Sequence, residues 1–353
     1  MLAEIQTELI NQLGLDQVTL IPLGQPISIS FYNKWLAENY YGSMNYLKEH
    51  AELKADPRRI NPDFQSVITV TQTYFPTVDP TSVKLPARTA LYAQNSDYHF
   101  WLKEKLNQII NQFQAKYPSE IFFPYVDSGP ILEKDIAYRA GHGWFGKNSC
   151  LIHPQKGSLF FIAEILTSLK VEPLKAIEIN PLPDMCGTCT RCMDICPTQA
   201  IIEPKIIKAD QCISYLTIES KTTPPIELRS KMNDWFFGCD LCQTVCPWNE
   251  KIFRIKKIPD SHFTSTEHFL DLKTDEHSDL IDFFKMILNS SNKKLQKHFY
   301  GTALHRAGGF GLKRNALIVI ANRKIKELQP EVLLLAKDPK LAELAHWTIQ
   351  QLN

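Results

Sequence analysis

Cys186, Cys189, Cys192 and Cys196 are spaced CxxCxxCxxxC, and Pro197 follows the last of them. This is the bacterial ferredoxin run: three closely spaced thiolates wrap one face of a four-iron cube, and the fourth, thrown outward ahead of proline, reaches a neighbouring cube. A second run, Cys239-x2-Cys242-x3-Cys246-Pro247, matches the last three cysteines of the same motif and lacks its first. Cys212 is the replacement. By that logic Cys186, Cys189, Cys192 and Cys246 hold one [4Fe-4S] cluster, and Cys196, Cys212, Cys239 and Cys242 hold the other. The 26 residues from Ile213 to Gly238 separate Cys212 from Cys239, where an ordinary ferredoxin has about two. This insert leaves the cluster core and is free to cover something beside the second cluster.

A pair of structural zinc sites is the alternative, since CxxC pairs also bind zinc, but zinc sites rarely show the CxxCxxCxxxCP run. Disulfides are disfavoured by the crowding of eight thiols in a chain that reads as cytoplasmic. Cys150 stands apart and reads as a buried free thiol.

Gly141-His142-Gly143-Trp144-Phe145-Gly146-Lys147-Asn148 fits two phosphate-binding patterns, and both fail in context. As GxGxxG it should follow a strand, but Glu133–Ala140 has a helical pattern. As GxxxxGK[ST] it ends on Asn148, which lacks the magnesium-binding hydroxyl. A glycine-rich bend that lets a bulky group approach the backbone remains. Asp127 sits in PYVDSGP at 124–130, where a strand should end. There an acid is a proton donor if burial raises its pKa, and otherwise a turn or helix cap, which is the first reading of the residues alone. Asp97 reads as the N-cap of the helix that follows it, and His142 and Lys147 read as structural or solvated.

The elements that must position these groups are mixed. Met1 to about Asn180 carries an amphipathic N-terminal helix and an extended run at Ser66–Phe75. A helix after Asp97 follows, with Leu102, Leu106, Ile109, Ile110 and Phe113 at helical spacing. This is an α+β pattern. From Pro181 to Lys257 short elements alternate with cysteines and prolines. Acids then concentrate at 259–282 (Asp260, Glu267, Asp271, Asp275, Glu276, Asp279, Asp282). The sign reverses over Phe283–Lys326, which has no acid and ten basic residues, Lys313 and Arg314 among them. Helical patterns at about Asn315–Leu328 and Lys340–Leu352, separated by Pro330 and the Asp338–Pro339 turn, resemble one unit of a helical repeat.

Lys and Arg (39) nearly cancel Asp and Glu (38), so any nucleic-acid binding must come from a local basic surface. The acidic, amphipathic start is no secretory signal, and no apolar run approaches the roughly 20 residues needed to span a bilayer. The chain reads as soluble and cytoplasmic.

Together, VDSGP at 126–130, RAGHGWFGKN at 139–148, MCGTCTRCMDICPTQAI at 185–201, CISYLT at 212–217 and GCDLCQTVCPWN at 238–249 resemble the epoxyqueuosine reductase family along nearly the whole chain. The resemblance implies three parts: a mixed α/β cobalamin-binding domain at 1–180, a bacterial-type two-cluster ferredoxin domain at 181–258, and a C-terminal α-helical HEAT-like tRNA-binding segment at 259–353. It implies reduction of epoxyqueuosine to queuosine at the tRNA wobble position, with loss of water, by a cobalamin fed from two [4Fe-4S] clusters. Asp127 matches the proton donor, which overturns its reading as a cap. Asp97 matches an acid of the same pocket and, with Asp127, Lys54, Leu151, Ile162, Ser220 and Asp240, a cobalamin contact. The basic segment acquires a reading as a phosphate-binding surface, with Lys313 and Arg314 in it, and the implied electron donor is a small flavodoxin or ferredoxin serving a monomer. No DxHxxG motif occurs, so no protein imidazole is expected below the cobalt. Gln94-Asn95-Ser96 and Ala342-Glu343 depart from the family where relatives tend to carry basic residues, which bears on the tRNA contacts. The rivals are a ferredoxin-type electron-transfer protein, an RNA-binding scaffold with structural clusters, and a cytoplasmic reductive dehalogenase, whose relatives usually carry export signals.

Overall fold

The structure, a computed structural model, describes residues 9–74, 86–94, 96–170, 181–255 and 274–353. Phe75, Asn95, Asp260, Glu267 and Asp271 lie outside these residues, as do the first eight residues of the expected N-terminal helix.

Four strands, β1 (Gln17–Pro22), β2 (Ser66–Thr73), β3 (Phe122–Val126) and β4 (Phe160–Thr167), form one antiparallel sheet in the order β1-β2-β4-β3. Helix α1 (Tyr98–Lys116) covers one face. Its Leu102, Leu106, Ile109 and Phe113 pack on Ile68, Val70, Val126, Ala163 and Ile165. Each such burial contributes about 1.5–3 kcal/mol. Helix α2 (Glu133–Arg139) covers the other face, with Ile136 near Ile21, Val67 and Leu166. Both faces are therefore covered, which is why every residue of SVITV is buried, the polar Ser66 and Thr69 included. Asp97 caps α1 as expected, its Oδ1 accepting the His99 N–H at 3.0 Å. Pro118 lies beyond the helix end.

The insert at 213–238 contributes α3 (Ile213–Ile218) and a strand, Trp235–Phe237, that pairs parallel with Arg88–Thr89. It shares one core with the C-terminal helices α4 (Thr274–Asn289), α5 (Asn292–His298), α6 (Gly308–Arg323), α7 (Gln329–Leu335) and α8 (Ala342–Leu352). Ile213, Leu216, Phe236 and Phe237 belong to the same cluster as Phe284, Leu317, Ile320 and Leu344. This core crosses the expected border at 258.

Two features of the C-terminal helices differ from the sequence expectation. Helix α6 begins at Gly308 and not at Asn315, because its glycines serve close packing: a Cβ on Gly309 would meet Asn292 Cα at 2.4 Å. Pro330 does not separate helices but sits in the first turn of α7, where its missing N–H leaves no intrahelical bond unmade. Among the described residues no helix is long and apolar enough to cross a membrane.

Candidate functional site

Strand β3 delivers Asp127. The strand stops at Val126 and Asp127 takes φ +56°, a left-handed conformation that costs a residue with a side chain about 1–2 kcal/mol. The turn is held by packing, since a Cβ at Gly129 would meet the Tyr125 ring at 2.5 Å. The Tyr98 hydroxyl donates to Asp127 Oδ2 at 2.6 Å. His99 Nε2 lies 3.7 Å from the same oxygen, while its Nδ1 lies 2.7 Å from Asp97 Oδ1. Two sequence-derived acids, Asp97 and Asp127, are thus joined through a histidine that the sequence reading passed over. Its only signal was its place two residues after a capping Asp.

The Asp127 carboxylate is 60% exposed, yet it lies in a recess that protein surrounds at longer range. That surrounding desolvation pushes its pKa up, but the charge of the nearby His99 and the hydrogen bond from Tyr98 outweigh it and hold the carboxyl below its ordinary value. Burial therefore does not give Asp127 the raised pKa that would make it a donor unaided. The proton sits next door: the carboxylates of Asp127, at 3.7 Å, and Asp97, at 2.7 Å, push the His99 imidazole up to about 9.

Beside this corner, on the α2 face of the sheet, lies a second set of ionisable groups. Lys54 is buried and its Nζ donates to the Ile131 carbonyl at 2.8 Å. Burial lowers its pKa against the pull of Glu133, Asp127 and Glu164. Burial raises Glu133 to about 8, and raises Glu164, in the middle of β4, well above the carboxylate range. Both Glu164 oxygens, Glu133 Oε1 and Thr69 Oγ1, which is opposite Glu164 across the strand pair, are buried without a hydrogen-bond partner. Ile162 lies two residues from Glu164 on the same face and packs in a cluster with Leu151. Lys54, Leu151 and Ile162 are thus brought to this side of the sheet.

The cysteines gather in two groups. Cys186, Cys189, Cys192 and Cys246 line one cavity of about 210 Å³. In the other group, Cys212 is near Cys196, Cys239 is near Cys212, and Cys242 is near both Cys239 and Cys212. Cys150 joins them, its thiol beside Cys242, so it does not stand apart in space as it does in sequence. The Ala200 N–H already donates to Cys196 Sγ at 3.3 Å, a bond of the kind that tunes a cluster's potential.

The glycine-rich bend is the clamp between these groups. Lys147 Nζ donates to the carbonyls of Gly187 (2.7 Å) and Cys189 (2.9 Å), and Asn148 Nδ2 to that of Cys242 (3.0 Å). Gly143 and Gly146 are needed because a Cβ at either would meet Ile152 at 2.5 Å. Lys147, which the sequence left as structural or solvated, is structural.

A chain of contacts connects Asp127 to the second cysteine group. The Tyr92 ring packs edge-on against Tyr98 at 6.2 Å, and the N–H of its neighbour Leu91 donates to Asp240 Oδ2 at 2.7 Å. Asp240 is buried beside Cys239, and that burial pushes its carboxyl up to about 6. Ser220 lies within the insert, its carbonyl held by Arg314.

Arg314 requires a correction. It was expected at the surface with Lys313 as a phosphate contact, but it is fully buried, its Nη1 donating to the carbonyls of Ser220 (2.5 Å) and Thr222 (3.1 Å). Lys313, one residue earlier, is half-buried. Arg314→Met is expected to lower stability in denaturant titration by about 2–4 kcal/mol, from two lost charge-assisted bonds. The salt dependence of RNA binding should stay unchanged. Unaltered stability would show that the buried guanidinium holds nothing. Glu343, at a family departure, has a local reason: it accepts both Nη groups of Arg229, at 2.9 and 2.7 Å.

The basic surface lies elsewhere, on α5, where Lys293, Lys294 and Lys297 are exposed. Next to it Tyr300 is 70% and Phe100 56% exposed, with rings 6.2 Å apart. The Asp97 N–H donates to Gly301 at 2.8 Å and ties this aromatic pair to the Asp127 corner.

Parts of the chain match known protein families. A 4Fe-4S double cluster binding domain matches residues 185–249, and the epoxyqueuosine reductase QueG domain (DUF1730) matches 54–128. The epoxyqueuosine reductase of Escherichia coli (strain K12) is 35% identical over 346 residues, covering 96% of this chain and 86% of that protein. That of Cyclobacterium marinum is 42% identical over 216 residues, 61% of this chain and 68% of the relative. Among solved structures, an epoxyqueuosine reductase with an epoxyqueuosine-modified tRNA-Tyr stem loop superposes with a TM-score of 0.79 at 26% identity, covering 99% of this chain and 90% of that one. The Bacillus subtilis epoxyqueuosine reductase, solved with a catalytic aspartate loop swung out of the active site, gives 0.77 at 25% identity over 100% and 91%.

Proposed function

The chain belongs to the epoxyqueuosine reductase family, and from that premise we propose that it reduces epoxyqueuosine to queuosine in tRNA through a cobalamin bound beside Asp127. The observation that carries this reading is the contact path from Asp127 through Tyr98, Tyr92 and Leu91 to Asp240 and Cys239. In support of the reading, this path runs from the Asp127 carboxylate at one end to a group of cysteines at the other. The eight cysteines hold two [4Fe-4S] clusters in the two groups described, with Cys186, Cys189, Cys192 and Cys246 around the cavity.

Residues fit for the corrin are Lys54, Asp97, Asp127, Leu151, Ile162, Ser220 and Asp240. In support, the buried oxygens of Glu164, Glu133 and Thr69 lack partners on the face that carries Ile162, and a corrin rim is rich in amides that bond such groups. Bound there, cobalamin supplies a strongly reducing, nucleophilic cobalt, and the clusters supply its electrons. The protein's own work is positional. The Asp127 turn presents Oδ2 to the leaving oxygen, Tyr98 orients that carboxylate, and the apolar Leu151–Ile162 patch excludes water. The helices at 274–353 act as a HEAT-like tRNA-binding segment: the lysines of α5 attract phosphates, and Phe100 with Tyr300 offers a stacking surface near the catalytic corner. A small flavodoxin or ferredoxin delivers electrons to the monomer.

Offering epoxyqueuosine-containing tRNA and a haloaromatic in parallel, anaerobically with reductant, tests the substrate. Queuosine should form in the tRNA and no halide should appear. Halide release without queuosine would assign the chain to dehalogenation.

A further inference from the structure

The proposed reaction has a proton count that one acid does not meet. Converting an epoxide to an alkene breaks two C–O bonds, forms one C=C bond and expels the oxygen as water. It consumes two electrons, which a low-potential protein donor supplies through the clusters, and two protons. Asp127 carries one proton at a time, and its carboxyl rests below the ordinary range, so it must be loaded within each turnover.

Among the described residues, two side chains reach Asp127. Tyr98 donates to it at 2.6 Å, but the ring is 8% exposed, stacked on Phe161 with centroids 4.1 Å apart, and burial pushes its pKa far up. It orients the carboxylate and keeps its own proton. His99 differs in three respects. It faces a carboxylate with each ring nitrogen, Nδ1 toward Asp97 at 2.7 Å and Nε2 toward Asp127 at 3.7 Å. Its side chain is 40% exposed, so solvent can recharge it. Its place at the start of α1, behind the Asp97 cap, fixes where the ring can swing. The 3.7 Å gap is longer than a hydrogen bond, a looseness common in sites without substrate.

We infer that Asp97, His99 and Asp127 form a proton relay, in which His99 loads Asp127 for the protons of each turnover and is itself recharged from solvent. This rests on the function proposed above. Asp97 sets the ring and balances its charge. Among the described residues, the other titratable or charged groups facing the relay are Glu133 and Lys134 from α2, Lys54 and Glu164 behind them, His305 and Arg306 from the segment before α6, and the Tyr46 and Tyr92 phenols. With acids on both sides, His99 keeps its proton up to about pH 9. Wild-type turnover should therefore hold from neutral pH and fall as pH rises through about 9, where the relay empties.

The test is the pH profile of kcat for queuosine formation by cluster- and cobalamin-loaded protein, in wild type, His99→Gln and Asp97→Asn. Asn keeps the helix cap, so the second variant separates charge from folding. His99→Gln should lose about a hundredfold in kcat at neutral pH, keep its tRNA affinity, retain activity only toward acid pH where Asp127 loads directly, and regain about tenfold with added imidazole. Asp97→Asn should move the alkaline limb to lower pH, because the imidazolium loses a carboxylate. An unchanged profile in both variants overturns the relay, and so does a loss in His99→Gln that imidazole does not relieve. Absence of queuosine from the wild type would remove the proposed function itself, before any variant is compared.

Discussion

Asp127→Asn is expected to lower turnover by about two or more orders of magnitude, the range for a lost general acid, while iron content and tRNA affinity stay near wild type. The substitution is close to isosteric. Asn tolerates the left-handed φ that Asp127 adopts better than most residues do, and its amide oxygen still accepts from Tyr98. The turn, the recess and the packing of Gly129 on Tyr125 should survive. What is lost is the carboxylate, the group able to take a proton from His99 and pass it on. Near-normal turnover in the variant would remove Asp127 from the mechanism. Loss of tRNA binding along with turnover would give Asp127 a structural part.

Cys246→Ser is expected to cost about half of the iron and nearly all queuosine formation. The cysteine lost matters as much as the amount. Cys246 is four residues from Cys242 in sequence, but it lines the cavity with Cys186, Cys189 and Cys192. The remaining cluster should be the one held by Cys196, Cys212, Cys239 and Cys242, and a further Cys189→Ser substitution should remove little more iron. A double variant that loses the second half of the iron would break this grouping. Activity falls further than iron because electrons must cross one cluster to reach the other. Trp144 should also loosen, since Cys246 shares a small buried cluster with it and with Ile152.

The parts of this account that sequence made legible are those with a fixed period or spacing. The interval from Leu102 to Phe113 places α1, and the CxxCxxCxxxCP run places two sets of thiols. Asp127 is legible as a strand end, and its φ of +56° shows why a turn residue stands there. Legibility fails where neighbours are distant in the chain. Arg314 looks like one more cation of a basic segment, and only the fold reveals that it fills the space under the Ser220–Thr222 turn. Cys150 looks isolated because its partner Cys242 lies 92 residues away. Lys147 and Asn148 look like a failed phosphate loop, yet they tie three carbonyls of the cysteine segments. His99 is hidden for another reason. A histidine in the first turn of a helix is ordinary, and it becomes informative only once Asp127 arrives beside it from another strand. The glycines of α6 argued against a helix by propensity, and close approach to Asn292 overrides that argument.

The central claim is that this chain's clusters act on tRNA through a corrin seated beside Asp127. The most direct measurement is queuosine formed per tRNA by anaerobically prepared, iron-loaded protein with a low-potential reductant, with and without added cobalamin. The account predicts multiple turnovers with cobalamin and essentially none without it. Equal yields in the two arms, from protein shown to hold no corrin, would contradict it.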